Sequence, residues 1–344
     1  MQATTGHGDG GELRGVVAIG ASAGGVEALS ALAANLSPGV PYAYLMTLHI
    51  PPGTPSILAR IIDRSGPLPA ATAQHGAKLE PAHIYVGSPD RHLLVTDHRV
   101  VVSQGPTENG HRPAINALFR SVALNFGPRA IGVLLSGVLD DGVLGLAAIR
   151  SRGGTTIGQL AEDALFPMLP TNAHDAGVLD RQARAADIGG ALEELSHREI
   201  EEPSMASDAG MEFENRIAMT SRYSTGFDTA DLGPASGYTC PDCNGSLVLV
   251  GEDNFRCRVG HAWTPASLLA ARDDEVDGAL WVALRSLQEK AKLARQLADN
   301  LAQRVGHGPL FRRYTALAEE TERALAVLGE RLSASGPRPG DTGG

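Results

Sequence analysis

Cysteine is scarce. The 344 residues hold three, Cys240, Cys243 and Cys257, so no framework of paired disulfides can hold the chain together. Aromatic residues make up 4%, too few for a base-stacking surface, and a formal charge of -10 removes the basic field that a phosphate backbone requires. No nucleic-acid partner is expected. Long apolar runs are missing too: no stretch approaches the roughly 18 uninterrupted apolar residues of a membrane span. Residues 1–15 are polar and Gly-rich, unlike a charged-then-apolar leader. The expectation is a cytoplasmic protein with no direct membrane insertion.

What the chain does contain is an alternation of apolar strands and helix-period segments over residues 16–188. Strands are expected at 16–21, 42–48, 130–135 and 155–158, and helices at 26–36, 55–62, 113–125 and 141–150. This βαβα order predicts an α/β fold, a doubly wound, mostly parallel sheet covered by helices on both faces. Short strand-like runs at 84–86, 92–95 and 99–102 interrupt it, and Thr96-Asp97-His98 joins the last two, which predicts an antiparallel edge hairpin.

Open sheets of this kind bind ligands beyond the carboxyl ends of their strands. Three loops there carry chemistry. Gly20-Ala21-Ser22-Ala23-Gly24 fits G-x-S-x-G, which holds a serine hydroxyl on a sharp strand-to-helix turn, so Ser22 is a candidate nucleophile. The same turn could cradle phosphate through its backbone N–H groups, although a P-loop lysine is lacking. His49, directly after the second strand and followed by two prolines, is a candidate general base, or else a ring bonded to a loop carbonyl. In the third loop, Ser136 to Gly142, Asp140 and Asp141 can divide capping of the next helix from holding an imidazole tautomer, or both can cap. A serine, a histidine and a carboxylate each ending a parallel strand meet the requirement of a nucleophile for a base and of a base for an orienting group.

Residues 16–190 resemble the catalytic domain of the bacterial chemotaxis protein-glutamate methylesterases. The resemblance rests on Ile19-Gly20-Ala21-Ser22-Ala23-Gly24-Gly25, His49-Ile50-Pro51-Pro52-Gly53, Tyr85-Val86-Gly87-Ser88-Pro89-Asp90-Arg91-His92-Leu93, His111-Arg112-Pro113-Ala114-Ile115-Asn116-Ala117-Leu118-Phe119, Leu135-Ser136-Gly137 and Asp141-Gly142. It implies Ser22 as nucleophile, His49 as base and Asp141 as the orienting carboxylate in an acyl transfer that demethylates glutamyl methyl esters. It also implies oxyanion donors at the backbone of Ala23 and of the 136–139 loop, at Val138. Deamidation of glutamine could follow the same acyl path. The implied partner is a methylated chemoreceptor or a receptor-like signalling protein. Arg112 would contact that substrate or tie down its own loop. Ser136, Val138 and Leu139 stand where Thr, Met and Gly are usual in the family, and Asn116 replaces an Asp. Family members often carry an N-terminal receiver domain, whereas this catalytic sequence begins almost at Met1, so control by phosphorylation in cis is not expected. His92 is expected as a packed strand residue, and His75, His83, His98, His111 and His174 at the surface.

From residue 192 the alternation breaks. An acidic, then Ser/Gly/Thr-rich stretch predicts a linker over 192–236 with one short helix. Cys240, Cys243, Cys257 and His261 then follow as C-x2-C-x13-C-x3-H, ligand pairs that fit a structural tetrahedral Zn2+ in a ribbon over 237–266, against a redox dithiol at Cys240 and Cys243. No cofactor is expected for catalysis. Apolar positions from Val276 to Leu301 and from Leu310 to Leu328 fall at alternating four and three spacing around Gly306-His307-Gly308-Pro309. They predict a helical hairpin over 267–334 that packs on itself, docks a partner helix or self-associates. The catalytic domain is expected over 15–191, with a disordered lead-in at 1–14 and tail at 335–344. The alternative to an esterase is a catalytically silent scaffold that binds partners through ribbon and helices.

Overall fold

The computed structural model describes residues 13–200, 207–220, 233–251 and 254–334; the lead-in before residue 13 and the tail after 334 lie outside them. Nine strands alternate with helices to Ser196. In chain order they are β1 (Gly15–Ala21), α1 (Gly25–Ala34), β2 (Tyr42–Leu48), α2 (Leu58–Ser65), β3 (Ala70–Thr72), β4 (Ile84–Val86), β5 (His92–Thr96), β6 (Arg99–Ser103), α3 (Ile115–Phe126), β7 (Ala130–Leu134), α4 (Val143–Ser151), β8 (Thr155–Gln159), α5 (Met168–Asp175), β9 (Arg181–Ala183) and α6 (Ile188–Ser196).

A seven-stranded sheet runs β3-β4-β2-β1-β7-β8-β9, and every pairing in it is parallel. Its central strand β1 is buried along its whole length, which is why that segment reads as a continuous apolar run. Alternate residues feed opposite layers, as the two-residue repeat of a strand requires. Val17, Ile19, Tyr44 and Met46 pack with α1, α2 and α6 through Leu29, Leu32, Ile62 and Leu192. Val16, Ala18, Ala43 and Leu45 pack with α3 and α4 through Leu118, Phe119, Leu146 and Ile149. The chain leaves β1 for β2 on one side and returns to β7 on the other. That reversal is the topological switch point, where crevices open at the strand ends.

Two expectations change. The antiparallel hairpin exists as β5–β6, but it forms its own two-stranded sheet instead of an edge of the large one. Its apolar residues Leu93, Val95 and Val100 are drawn into the α3 layer. There the hairpin's outer edges find partners elsewhere: Ser121 Oγ of α3 accepts from Val95 N–H at 3.2 Å, and Gly76 N–H donates to Val100 O at 2.8 Å. The break at residue 192 is also too early, because α6 buries Leu192 and Leu195. The short helix expected in the linker is α7 (Ala209–Met219), capped by the Asp208 carboxylate accepting from Met211 N–H. It is packed and not free: Ala218 is buried with Leu94, Ala114 and Ala117.

Four strands, β10 (Ala235–Thr239), β11 (Ser246–Val250), β12 (Asn254–Cys257) and β13 (Ala262–Trp263), form an antiparallel ribbon. The chain divides into two compact units, Met1–Leu268 and Leu269–Gly344, so the ribbon belongs with the large parallel sheet. The second unit is built from most of α8 (Pro265–Arg304) and from α9 (Pro309–Ala334). Within it Ala291, Ala294 and Ala298 are buried, as are Ala318 and Thr321. Arg295 of α8 pairs with Glu322 of α9 at 2.7 Å. Small residues on the predicted stripe let two helices approach closely. No described helix is long and apolar enough to cross a membrane.

Candidate active site

The register of three neighbouring strands assembles the site. Ala21 at the end of β1 pairs with Leu48 at the end of β2, so Ser22 and His49 leave the sheet side by side. Gly20 pairs with Leu134, which brings the loop after β7 to the same crevice. Backbone bonds lock the exits: His49 N–H donates to Ala21 O at 3.3 Å and Ser22 N–H to Ser136 O at 2.9 Å. The turn itself needs its glycines. Gly24 holds φ at 67°, and a Cβ on Gly20 would lie 2.2 Å from Cγ2 of Ile115.

Ser22, His49 and Asp141 form one hydrogen-bonded series. Ser22 Oγ lies 3.1 Å from His49 Nδ1, and His49 Nε2 lies 2.8 Å from Asp141 Oδ2. An ionised carboxylate only accepts, so Nε2 carries the proton and Nδ1 offers its lone pair to the serine hydroxyl. Asp141 is buried. Burial alone would raise its pKa, but the hydrogen bond from His49, the His49 and His111 rings beside it and the Ile115 N–H outweigh it and hold the carboxyl below its usual range. Those donors include the start of α3, where Ile115 N–H donates to Oδ2 at 2.7 Å and Asn116 N–H to Oδ1 at 3.2 Å. α3 has no capping side chain of its own; Asp141 takes that place, where the helix dipole favours an anion. Asn116 turns the other way, its Oδ1 accepting from Gly142 N–H at 2.9 Å and Gly145 N–H at 2.8 Å. An amide oxygen there caps α4 without a second charge beside Asp141.

Asp140 does not face the imidazole. Its Oδ1 accepts from Thr264 Oγ1 and Ser267 Oγ, each at 2.8 Å. Burial raises its pKa against those two hydroxyls. Ala23 follows Ser22 and Val138 lies within the third loop, and their N–H groups have no backbone acceptor among the described residues. Arg112 is engaged elsewhere: Nε donates to Asp90 Oδ1 at 2.9 Å and Nη1 to Gly105 O at 2.9 Å. It ties down its own loop. His92 is fully buried, Nε2 donating to Pro106 O at 2.9 Å, and burial lowers its pKa.

One histidine expected at the surface is not there. The His111 ring stacks on His49 with centroids 3.7 Å apart and planes 14° from parallel. Burial, then the neighbouring His49, lowers its pKa to about 4, against the pull of Asp141. Its place in His111-Arg112-Pro113, one of the stretches singled out above, was the available signal. Asn109, which reaches Asp141 Oδ1 with Nδ2 at 3.5 Å, left no such signal.

In the ribbon, Cys240, Cys243, Cys257 and His261 present ligand atoms that all lie within 4.8 Å of one another. The Cys243 and Cys257 sulfurs are 3.6 Å apart, and His261 Nδ1 lies 3.6 Å from Cys240 Sγ and 3.5 Å from Cys257 Sγ. A tetrahedral ion with Zn–S of ~2.3 Å and Zn–N of ~2.0 Å requires edges of ~3.5–3.8 Å. The three closest of these distances match such edges, so the donor set can hold a divalent metal, and all three cysteines are free thiols.

A parallel α/β sheet with a serine, an imidazole and a carboxylate in hydrogen-bonded series at its switch point defines a class, the α/β proteins with a Ser-His-Asp constellation. Within that class, residues 17–192 match the CheB methylesterase family, and the chain belongs to it. A relative from Anaeromyxobacter dehalogenans, a protein-glutamate methylesterase/protein-glutamine glutaminase, is 41% identical over 167 residues, 48% of this chain and 49% of its own. One of the same description from Gluconobacter oxydans is 35% identical over 190 residues, 53% of this chain and 54% of its own. The chain spans about half the length of the curated relatives it matches. Among solved structures, the CheB methylesterase catalytic domain of Thermotoga maritima superposes with a TM-score of 0.51 at 27% identity, covering 53% of this chain and 98% of that one.

Proposed function

We propose that this protein is a serine hydrolase that demethylates glutamyl methyl esters on a chemoreceptor-type signalling protein in the cytoplasm, in chemotaxis-like signalling. The observation that carries the reading is the series from Ser22 Oγ through His49 to Asp141. His49 Nδ1 takes the hydroxyl proton as Oγ attacks the ester carbonyl. The tetrahedral intermediate collapses to a Ser22 acyl ester, and methanol leaves with the proton from Nδ1. Water then attacks the acyl ester with Nδ1 again as base, which frees the glutamate carboxylate and restores Ser22. The N–H groups of Ala23 and Val138 serve the oxyanion, each donor of this kind being worth ~3 kcal/mol. A glutamine side chain enters the same sequence with ammonia as leaving group, in keeping with the glutaminase part of the relatives' names. Arg112, engaged with Asp90 and Gly105, is left out of substrate binding.

Cys240, Cys243, Cys257 and His261 would hold a structural Zn2+, which supplies a closed four-ligand anchor for the ribbon and no open position for catalysis. The small ribbon would depend on it for stability. The paired helices of the second unit serve self-packing or a partner.

The test is methanol release from a receptor signalling domain carrying isotopically labelled methyl esters, with Ser22→Ala, His49→Ala and Asp141→Asn as controls of checked fold and metal content. Release by the native protein that collapses in all three supports the reading. A native protein that releases nothing from several receptors overturns it.

A further inference from the structure

The ribbon does not hang beside the catalytic sheet; it is joined to it through the segment that backs the triad. Residues 107–111 lie between the metal-ligand cluster and Asp141. On the ribbon side, Thr107 Oγ1 donates to Asp242 Oδ2 at 2.8 Å, and Asp242 sits inside the Cys240–Cys243 knuckle. Ala262, the residue after His261, donates its N–H to Thr107 O at 3.1 Å and accepts from Asn109 N–H at 2.8 Å. Trp263 stands against Gly110, where a Cβ would come within 3.2 Å of its ring. Thr264 N–H donates to Asn109 Oδ1 at 2.9 Å, while its hydroxyl holds Asp140.

On the catalytic side the same segment presents two side chains to the triad. Asn109 Nδ2 faces Asp141 Oδ1, and His111 covers the face of His49. Asn109 is buried, has φ of 53°, and uses one end of its amide for the ribbon exit and the other for the carboxylate. Such a residue has one orientation only while Thr264 is in place. Thr264, three residues beyond the ligand His261, is in place only while the ribbon is closed.

We propose that the metal-bound ribbon is a positioning element of the active site, and that Asn109 is the positioning residue through which it sets the Asp141 carboxylate. The chemical class of ligand is a thiolate-preferring divalent cation, Zn2+ by donor set. The inference rests on the Ser22-His49-Asp141 reading above. Metal loss opens the two knuckles, releases β13 and Thr264, and leaves Asn109 and Asp140 without the contacts that orient them. The reacting groups then sample geometries in which Nδ1 does not meet Oγ, and small misplacements of this kind are costly to rate. The sheet itself has its own two core layers and stays folded.

The experiment uses the full chain, metal-loaded and after chelation, with three readouts: metal per chain, the rate at which a fluorophosphonate probe labels Ser22, and amide exchange. The expected result is one metal per chain and a labelling rate that falls about tenfold or more on chelation and returns with Zn2+. Exchange is expected to rise at Ile115 and Asn116, whose N–H groups are held by Asp141, and to stay unchanged at Ile131 and Val133 in β7. Asn109→Gly, which tolerates the positive φ, is expected to keep its metal and lose about tenfold in labelling.

A chain that binds no metal overturns the inference, as does chelation that leaves both labelling and the Ile115 and Asn116 amides unchanged. Opening of β7 along with them also overturns it, because the metal would then serve general stability. Native labelling by an Asn109→Gly variant removes Asn109 from the role. If the metal-loaded native protein does not label at all, the nucleophile reading fails instead, and exchange at Ile115 and Asn116 still decides whether ribbon and carboxylate are coupled.

Discussion

His111 lies flat on His49, with ring centroids 3.7 Å apart, and so covers the face of the imidazole that links Ser22 to Asp141. Burial, then the neighbouring His49, lowers the His111 pKa to about 4, against 6.5 for a free ring, while Asp141 pulls the other way. Between those values the unfolded chain takes up a proton that the folded one refuses, so stability falls as pH falls through that window. The loss from this residue is about 2 kcal/mol between pH 7 and pH 5. His111→Phe keeps a flat ring over His49 without the titration, and urea unfolding at the two pH values should show a smaller acid loss. Equal losses in both proteins would refute it.

Asp141 is acceptor to the Nε2 proton, so its charge fixes which nitrogen of His49 faces Ser22. Asp141→Asn can donate to Nε2 and place the proton on Nδ1. Labelling of Ser22 is expected to drop by about 10^4-fold while the fold survives, as in a comparable serine enzyme. A variant within tenfold of native would mean that the carboxylate does not set the tautomer.

Gly20 is in contact with Ile115, whose N–H holds Asp141. Gly20→Ala pushes a methyl into Cγ2 of Ile115 and should cost about 1–3 kcal/mol, read as a lower urea midpoint, with loss of labelling alongside. An unchanged midpoint would show that α3 can move away freely.

Glu108 and Glu214 share Arg120 and Arg256 in a buried cluster across α3, α7 and β12. Arg256 is 1% exposed at its side chain, with Glu214 at 3.2 Å. Arg256→Met leaves two carboxylates with one cation and is expected to destabilise by ~3 kcal/mol or more. The double variant Arg256→Met, Glu214→Gln restores the balance and should cost less than the single one. A double variant worse than the sum of its parts would contradict charge balance as the cause.

The strands, their parallel order and the three loops at their ends were legible because each depends on neighbours in sequence. β-branched runs announce buried strands, Gly20-Ala21-Ser22-Ala23-Gly24 announces its own turn, and ligand pairs three and four residues apart announce their knuckles. The alternating stripe of the last two helices was legible for the same reason. Arg112 was not decided locally: the same guanidinium could face a substrate or Asp90, and only the fold brings Asp90 within 2.9 Å. The hairpin followed the same logic, since its two strands pair locally while its seat against α3 does not.

The sequence by itself thus determined the elements and nominated Ser22, His49 and the Cys/His cluster as candidates, with Asp140 and Asp141 left open by the residues and Asp141 favoured by resemblance. The tertiary structure brought Asp141 to the imidazole and Asp140 to Thr264 and Ser267, laid His111 over His49, and joined the ribbon to Asp141 through Asn109. Those contacts join segments as far as 155 residues apart, as between Thr264 and Asn109. Local periodicity fixes which face of an element is apolar. Which polar side chains meet across two loops depends on how whole layers pack, because each buried donor must find whatever acceptor the fold brings near it.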